Sequence, residues 1–378
     1  MTEEFEGLKI LASREAAQRI TRRHFLAGSA VAVFSGSVLL AACGGGDKNA
    51  LNIYNWAEYD DPAIFTRFTD EVGPATTVSI YDSNEQAVAK LESAEGTSGY
   101  DIVVPSDVYV GQLIELDLLE KMDKSKIPNF KNLEDQYKAQ PFDPGNDYSV
   151  CKDWGSTGWI VDTSIVKEPI NSWKDFQNAA MGVASGNMSV LDTPGYVAAI
   201  YAWGENLSWV TEDEAELDAT EDFIVNKFAP HITAFDSYPG INLAQGNYAL
   251  SQIWNGDARG GLLSVDDPER YQWSIGKPVA DLWMDNWCIV KGGPNVDAAH
   301  QWINFILDPD VSFQDMEYHG YHPGITGIQD RAEQAGLEHL DIIFFDDETV
   351  SGLQDNALNT GQARRVAIWE AAHAAAGA

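Results

Sequence analysis

Apolar positions along the chain alternate between a two-residue period and a three-to-four-residue period, the signature of strands following helices. "LNIYNW" predicts a strand. Asp61-Pro62 then predicts a helix start, with an acid at the cap and proline in the first turn. Ile64, Phe65, Phe68 and Val72 give that helix an apolar stripe, and Gly73-Pro74 stops it. "TTVSIY" alternates as a second strand, and Ser83 to Gln86 has the form of a capping box ahead of Val88 and Leu91. "YDIVV" is a short apolar strand ending at Pro105-Ser106, with a further helix carrying Leu113, Ile114, Leu116 and Leu119. Strands alternating with helices predict a largely parallel α/β sheet. Ligands of such sheets lie outside the carboxyl ends of the strands, where Trp56-Ala57-Glu58-Tyr59 and Ser106 fall.

A second unit begins after "YSVCKDWGSTGWIV". "NSWKDF" starts a helix, "NMSVLDTPGY" reads as a strand and turn, and "YVAAIYAWG" as a helix. "NYALSQIWNGDARGG" is an apolar strand ending in Trp254, Asn255, Gly256 and Asp257. "LWMDNWCIV" is another, with Trp283 and Asp285 near its start. "AAHQWINFI" and "QARRVAIWEAAHAAA" have helical spacing.

The chain has 378 residues, 44% hydrophobic, enough for two domains. Its beginning stands outside that core. Thr21-Arg22-Arg23-His24-Phe25-Leu26 is a twin-arginine pattern, followed by an apolar run that ends at Leu40-Ala41-Ala42-Cys43-Gly44. A run of about 18 apolar residues is just long enough to span a bilayer. Basic residues before it, small residues at its end and a cysteine there instead predict an export signal cleaved ahead of a lipidated Cys43. "GGGDKNA" then serves as a tether. Cys151 and Cys288 remain, either as a disulfide in an oxidising compartment or as two small buried hydrophobes.

Net charge is −34, with 58 acidic against 24 basic residues. That excludes a nucleic-acid partner, which needs a basic face. It is compatible with steering a small cation, although an acidic surface kept for solubility has the same balance. Enzyme signatures are missing: there is no G-x-S-x-G, H-E-x-x-H, Walker loop or paired C-x-x-C. His319 and His322 form a close pair without acids or cysteines to complete a metal set, and read as solvent-facing loop residues. What recurs is an aromatic residue beside an acid at a strand end: Trp56, Glu58 and Tyr59; Trp254 and Asp257; Trp283 and Asp285. Aromatic faces attract cations by about 0.5–2 kcal/mol each, and a charge-assisted hydrogen bond adds about 1.5–3 kcal/mol. Micromolar binding needs about 8 kcal/mol, which a ligand with two ammonium groups can reach. In "IYNWAEYDDP", Asp60, Asp61 and Pro62 read as a helix start, and Trp56, Glu58 and Tyr59 as part of a site.

From about Leu51 to its end the chain resembles the periplasmic spermidine/putrescine-binding proteins of bacterial ABC importers. The resemblance is carried, in family order, by "YNWAEYDDP", "YDSNE", "YDIVVPSDVYV", "MDKSKIPNF", "FDPGNDYSV", "IWNGDA", "WMDN" and "INFILDPDV…HGY". It implies an α/β, two-domain periplasmic-binding-protein fold (type II) with an interdomain ligand cleft. The expected divisions are residues 1–43 as signal and 44–50 as tether. Residues 51–155 plus 283–325 form the first domain, and 156–282 plus 326–378 the second, which holds the C-terminal helices. Crossing strands would bring Cys151 and Cys288 onto approaching strands, so the disulfide stays open.

The family's site falls on Trp56, Glu58, Tyr59, Ser106, Trp254, Asp257, Trp283, Asp285, Tyr321 and Gln354. By resemblance Asp285 and Glu58 hold ammonium groups from the first domain and Asp257 from the second. Trp56, Trp254, Trp283 and Tyr321 form the aromatic box, and Asp257 matches the putrescine-preferring members. The chain departs from the family at Thr193 and Tyr196, where acids are expected, while Asp192 sits one position off the pocket. A putrescine-like diamine is therefore expected over spermidine.

The resemblance implies an exported, periplasmic, membrane-anchored lipoprotein, monomeric, with no cofactor or metal. It would capture a polyamine by domain closure and deliver it to an ABC permease. The alternatives are another amine or a quaternary ammonium as ligand, a sensor subunit, and a glycosidase-type enzyme using Glu58 and Asp285 as its acid pair.

Overall fold

The computed structural model describes residues 9–11, 50–94 and 98–377. The twin-arginine segment, Cys43 and all of the tether before Ala50 lie outside the described residues. Among the described residues, no helix is long and apolar enough to cross a membrane. The strands are β1 (Lys9–Leu11), β2 (Leu51–Trp56), β3 (Thr76–Tyr81), β4 (Ile102–Val103), β5 (Ser149–Gly155), β6 (Thr157–Asp162), β7 (Met188–Leu191), β8 (Ala234–Asp236), β9 (Leu250–Trp254), β10 (Tyr271–Ile275), β11 (Asp281–Ile289) and β12 (Gln354–Asp355). The chain divides into two units: unit 1 runs to Trp154 and resumes over Met284–Leu337, and unit 2 comprises Gly155–Trp283 and Glu338–Ala378. Gly155 and Trp283 thus belong to unit 2, and the helix Ile328–Ala335 to unit 1. The sequence reading had placed all three on the other side.

In unit 1 the sheet order is β1-β3-β2-β4-β11, with β5 also paired to β11. The first four strands are mutually parallel, and β11 runs antiparallel to β4 with Cys288 opposite Val103. A central parallel strand is covered on both faces, which is why β2 is buried along almost its whole length. The helix Pro62–Glu71 begins as expected: Asp61 Oδ1 accepts the Ala63 N–H at 2.9 Å, and Pro62 fills the first turn. Its Phe65 and Phe68 rings lie 5.0 and 5.2 Å from the ring of Trp302, on the helix Val296–Ile306. Ser83 caps the helix Asn84–Glu92 by accepting the Gln86 N–H.

Cys151 and Cys288 are both buried free thiols, so the disulfide is not formed. The physical reason is the side-to-side alternation of a sheet. Cys288 packs into the cluster of Tyr54, Val103, Val110 and Leu113. Cys151 instead lines a small cavity with Trp287, the neighbour of Cys288 that points the other way. Both behave as small hydrophobes, and burial pushes both thiols well above the ordinary cysteine value.

In unit 2 the sheet order is β10-β6-β9-β7-β8. β6 runs antiparallel to β10 and β9, and β7 runs parallel to β9 and β8. Tryptophans fill its core: Trp173 stacks on Trp203 at 4.8 Å and meets Trp159 edge-on at 5.1 Å. The helix Gln362–Ala376 closes this core with Ile368 and Ala372. The short strand β12 pairs with the first residues of β11, placing Gln354 opposite Asp281.

A close approach at Gly155 fixes how unit 2 begins. A Cβ there would lie 2.2 Å from Asn255 Oδ1 and 2.5 Å from Trp283 Cζ2, so no larger residue fits without displacing both. Gly155→Ala is expected to destabilise the protein by about 1–3 kcal/mol in urea titrations, as overpacking does. Gly111→Ala is the control: in the helix Asp107–Glu115 its Cβ would meet only Phe142 Cβ at 3.7 Å, and a gain of up to about 1 kcal/mol is expected.

Candidate functional site

In unit 1 the site grows from the carboxyl end of β2. After Trp56 the chain reverses through Glu58, whose φ of 55° puts a non-glycine residue in the left-handed region. Such a conformation costs roughly 1–3 kcal/mol and is characteristically found at ligand-holding turns. The reversal delivers Tyr59 inward. Its hydroxyl reaches Asp153 Oδ1 and lies 2.7 Å from Asp285 Oδ2. Its ring is 5.9 Å from that of Tyr321, edge-on.

A buried ammonium backs this hydroxyl. Lys152 Nζ donates to the Tyr59 carbonyl at 3.0 Å and to Asp153 Oδ2 at 2.9 Å, and sits 3.8 Å from the centre of the Tyr59 ring. Asp60 Oδ1 lies 3.4 Å from it and Asp315 Oδ2 3.8 Å. Burial works against the charge of Lys152, yet Asp153, Asp60 and Asp315 together hold it above the ordinary lysine value. Burial raises the Asp153 and Asp315 carboxyls, with Lys152 opposing the rise in each.

Asp285 is also enclosed. Burial and the neighbouring Asp153 push its carboxyl up to about 7, against the pull of Ser106, Tyr59 and Lys152. Its Oδ1 is buried without a hydrogen-bond partner. Ser106 bridges to Asp285 across the backbone, and Asn84 clamps Ser106 by donating to its Oγ and accepting its N–H, each at 3.0 Å. Trp56 donates its indole N–H to the Val104 carbonyl at 3.0 Å and leans on Tyr81 at 4.6 Å, so its ring is positioned by two contacts.

In unit 2, Trp254 ends β9 and Asn255 opens the helix Asn255–Leu262, with Asp257 in its first turn. The sequence reading had extended the strand through Asp257. Asp257 Oδ1 accepts the Gly240 N–H at 3.3 Å. Trp254 meets Tyr196 edge-on at 5.9 Å, and Tyr196 stacks on Trp209 at 5.7 Å. Trp283 is buried on the first part of β11. Gln354 stands on β12 with its Oε1 buried and unpartnered.

Tyr196 occupies the position where an acid was expected, and a different acid lies behind it. Its hydroxyl donates at 2.8 Å to Asp281 Oδ2, whose other oxygen accepts the Thr157 N–H at 3.0 Å. Asp281 is fully buried, and burial pushes it up to about 6 despite both hydrogen bonds. Asp192 turns away to the C-terminal helix, where Trp369 Nε1 and His373 Nε2 each lie 2.9 Å from its Oδ1.

Tyr59, Ser106, Asp285 and Tyr321 are thus grouped in unit 1 with Trp56 and Glu58 on the adjoining strand end. Trp254 with Asp257, and Trp283 with Gln354, stand in unit 2. Two readings are corrected. Asp60 is a buried partner of Lys152, and only Asp61 and Pro62 start the helix. His319 and His322 are buried, not solvent-facing. The His319 Nδ1 accepts the Tyr321 N–H, which leaves Nε2 facing Asp153 and Asp315 at 3.6 and 3.7 Å. Burial lowers His322 to about 4. Lys152, Asp153, Asp315, Asn84 and Asp281 were missed. The legible signal was the Lys-Asp pair inside the apolar "SVCKDWG".

The family model for "Bacterial extracellular solute-binding protein" matches residues 63–340. The chain is 34% identical over 301 residues to the spermidine/putrescine-binding periplasmic protein of Escherichia coli K12, covering 79% of this chain and 83% of that one. It is 31% identical over 285 residues to the putrescine-binding periplasmic protein SpuD of Pseudomonas aeruginosa UCBPP-PA14, covering 70% and 75%. The TpPotD lipoprotein of Treponema pallidum superposes with a TM-score of 0.72 at 25% identity, covering 85% of this chain and 99% of that one. These relatives are solute-binding proteins, not enzymes, and the two-sheet α/β architecture is theirs.

The enclosed carboxylate in unit 2 has a pH signature. The native carboxyl of Asp281 lies near 6, above an unfolded aspartate, so its contribution to stability is present in acid and is lost as pH rises from about 4 to about 6. Asp281→Asn lacks that loss. Its melting temperature is therefore expected to gain on the wild type across this interval in thermal scans, with a flat difference contradicting the enclosure.

Proposed function

The chain belongs to the bacterial extracellular solute-binding proteins, and from that premise we propose that it captures a polyamine and delivers it to an ABC permease. The observation that carries this reading is the buried, unpartnered Oδ1 of Asp285, set among Tyr59, Ser106 and Tyr321. An enclosed carboxylate oxygen without a donor is costly, and an ammonium group supplies both the charge and the hydrogen bond. Asp257 and Glu58 are the further acids, with Trp56, Trp254, Trp283 and Tyr321 as aromatic walls for methylenes and Gln354 as a polar contact. Relatives that bind spermidine or putrescine by name support the ligand class.

Within that class a diamine such as putrescine is favoured over spermidine. Tyr196 offers a phenol where a third cationic centre needs a carboxylate, and the acid behind it is already satisfied by Tyr196 and Thr157. Capture is a closure of the two units on the ligand, because each contributes acids and aromatics and the ligand favours the state in which both touch it. The twin-arginine signal and lipidated Cys43 would hold the protein at a membrane in the periplasm, and a lipoprotein relative supports that anchoring.

Calorimetry with putrescine, cadaverine, agmatine and spermidine tests the reading. Putrescine is expected to bind at micromolar or lower Kd and more tightly than spermidine. Asp285→Asn and Asp257→Asn are each expected to weaken it by at least about 100-fold, since each leaves an ammonium unpaired. Absence of heat with all four amines rejects the ligand class. An Asp257→Asn variant with unaltered affinity points to a quaternary ammonium, which donates no hydrogen bond.

A further inference from the structure

We propose that unliganded unit 1 stores one proton on the relay Asp285–Tyr59–Asp153, and that an ammonium group seated at Asp285 expels it. The inference rests on the polyamine reading for its ligand, but on geometry for its proton. The Tyr59 hydroxyl is within hydrogen-bonding reach of two carboxylates, Asp153 Oδ1 and Asp285 Oδ2. A phenol carries one hydrogen and can donate to only one of them. With both acids ionised, a carboxylate lone pair would face a phenol lone pair in an enclosed place. The second contact becomes a hydrogen bond if that carboxyl is itself protonated and donates to the Tyr59 oxygen.

Neighbouring charges decide which acid holds the proton. Lys152 Nζ lies 2.9 Å from Asp153 Oδ2, and His319 Nε2 lies 3.6 Å from the same oxygen. Asp153 is therefore the ionised member and accepts from Tyr59. Asp285 is the protonated member and donates to it. The other groups facing the relay do not reverse this order. Asp60 and Asp315 draw on the same Lys152 ammonium, at 3.4 and 3.8 Å, leaving less positive charge for Asp285. Tyr81, which flanks it, and Cys151, on the strand of Asp153, are neutral groups, burial holding both above their ordinary values. The elevation of the Asp285 carboxyl, through burial and then Asp153, agrees with the assignment.

The step balances simply. The incoming ammonium ion brings one positive charge to the Asp285 carboxyl, the carboxyl loses one proton to solvent, and no bond within the ligand changes. Asp285 becomes a carboxylate whose Oδ1 pairs with the ammonium. Tyr59 continues to donate to Asp153, the hydrogen bond from Asp285 to the Tyr59 oxygen is given up for the one the ammonium donates to Asp285, and the net charge of the enclosed group is unaltered by binding. Affinity for the amine then depends on pH through this one group.

Two measurements on the full-length protein test the inference. In the ligand-free protein, infrared spectra between about pH 5 and pH 8 are expected to show, besides the Asp281 carboxyl that fades near pH 6, a C=O component that fades near neutrality. That component should be absent from Asp285→Asn, with circular dichroism confirming that the variant is folded. With putrescine at about pH 6, calorimetry in phosphate and in Tris should differ by the buffer heat of nearly one released proton. Affinity should fall by up to tenfold per pH unit below the midpoint, as linkage requires. A spectrum with no Asp285 carboxyl above about pH 5 overturns the stored proton. Saturable binding with equal heats in both buffers overturns its expulsion. A fading Asp285 band without putrescine heat in either buffer supports the stored proton and rejects the polyamine reading instead.

Discussion

The buried ammonium of Lys152 is the constraint on which unit 1 depends. Around it stand Asp60, Asp153 and Asp315, three carboxylates that could not be enclosed together without a cation. Each comes from a different element: the loop after β2, strand β5 and the helix Pro309–His319. One ammonium therefore ties the start of the unit to its returning segment. It also fixes Tyr59 twice, by donating a hydrogen bond to the Tyr59 carbonyl and by lying against the face of its ring. With ring and backbone both held, the hydroxyl can point only at Asp153 and Asp285. The left-handed turn at Glu58 immediately precedes the residue so held.

Unit 2 solves a related problem with hydrogen bonds alone. Among the described residues no cation is paired with the enclosed Asp281, which is sustained by Tyr196 and Thr157. Tyr196 stands where the resemblance calls for an acid, and an acid, Asp281, lies one layer behind it and accepts the hydrogen bond of the phenol. A phenol is a weaker partner for an ammonium than a carboxylate is. Under the proposed function, that end of the ligand meets less charge, which is the physical basis on which the smaller diamine is proposed. The stack of Tyr196 on Trp209 and its edge contact with Trp254 hold the phenol in place.

Much of this was legible in the sequence because it depends on local pattern. The helix start at Asp61-Pro62, the cap at Ser83, strands β2, β3 and β11 and the helix Gln362–Ala376 follow from period and capping chemistry. The recurrence of an aromatic with an acid singles out Trp56, Glu58 and Tyr59, Trp254 and Asp257, and Trp283 and Asp285 as candidates. What was not legible depends on residues far apart in the chain. No local rule brings Lys152 to Asp60 and Asp315, or Tyr196 to Asp281, and a histidine's exposure cannot be read from a loop-like "HGYH". The faces of Cys151 and Cys288 likewise follow from sheet alternation across two strands, not from the spacing of the cysteines. The candidate strand-end residues lie in short contiguous motifs, while the groups that support them are scattered along the chain.

The central claim is that the enclosed carboxyl group of Asp285 is the seat of a ligand ammonium group. A crystal structure of the protein with putrescine tests it most directly. The account predicts one ligand nitrogen within hydrogen-bonding distance of Asp285 Oδ1, with the Tyr59 hydroxyl still directed at Asp153. Putrescine bound elsewhere, or Asp285 Oδ1 satisfied by a protein donor in the complex, would contradict it.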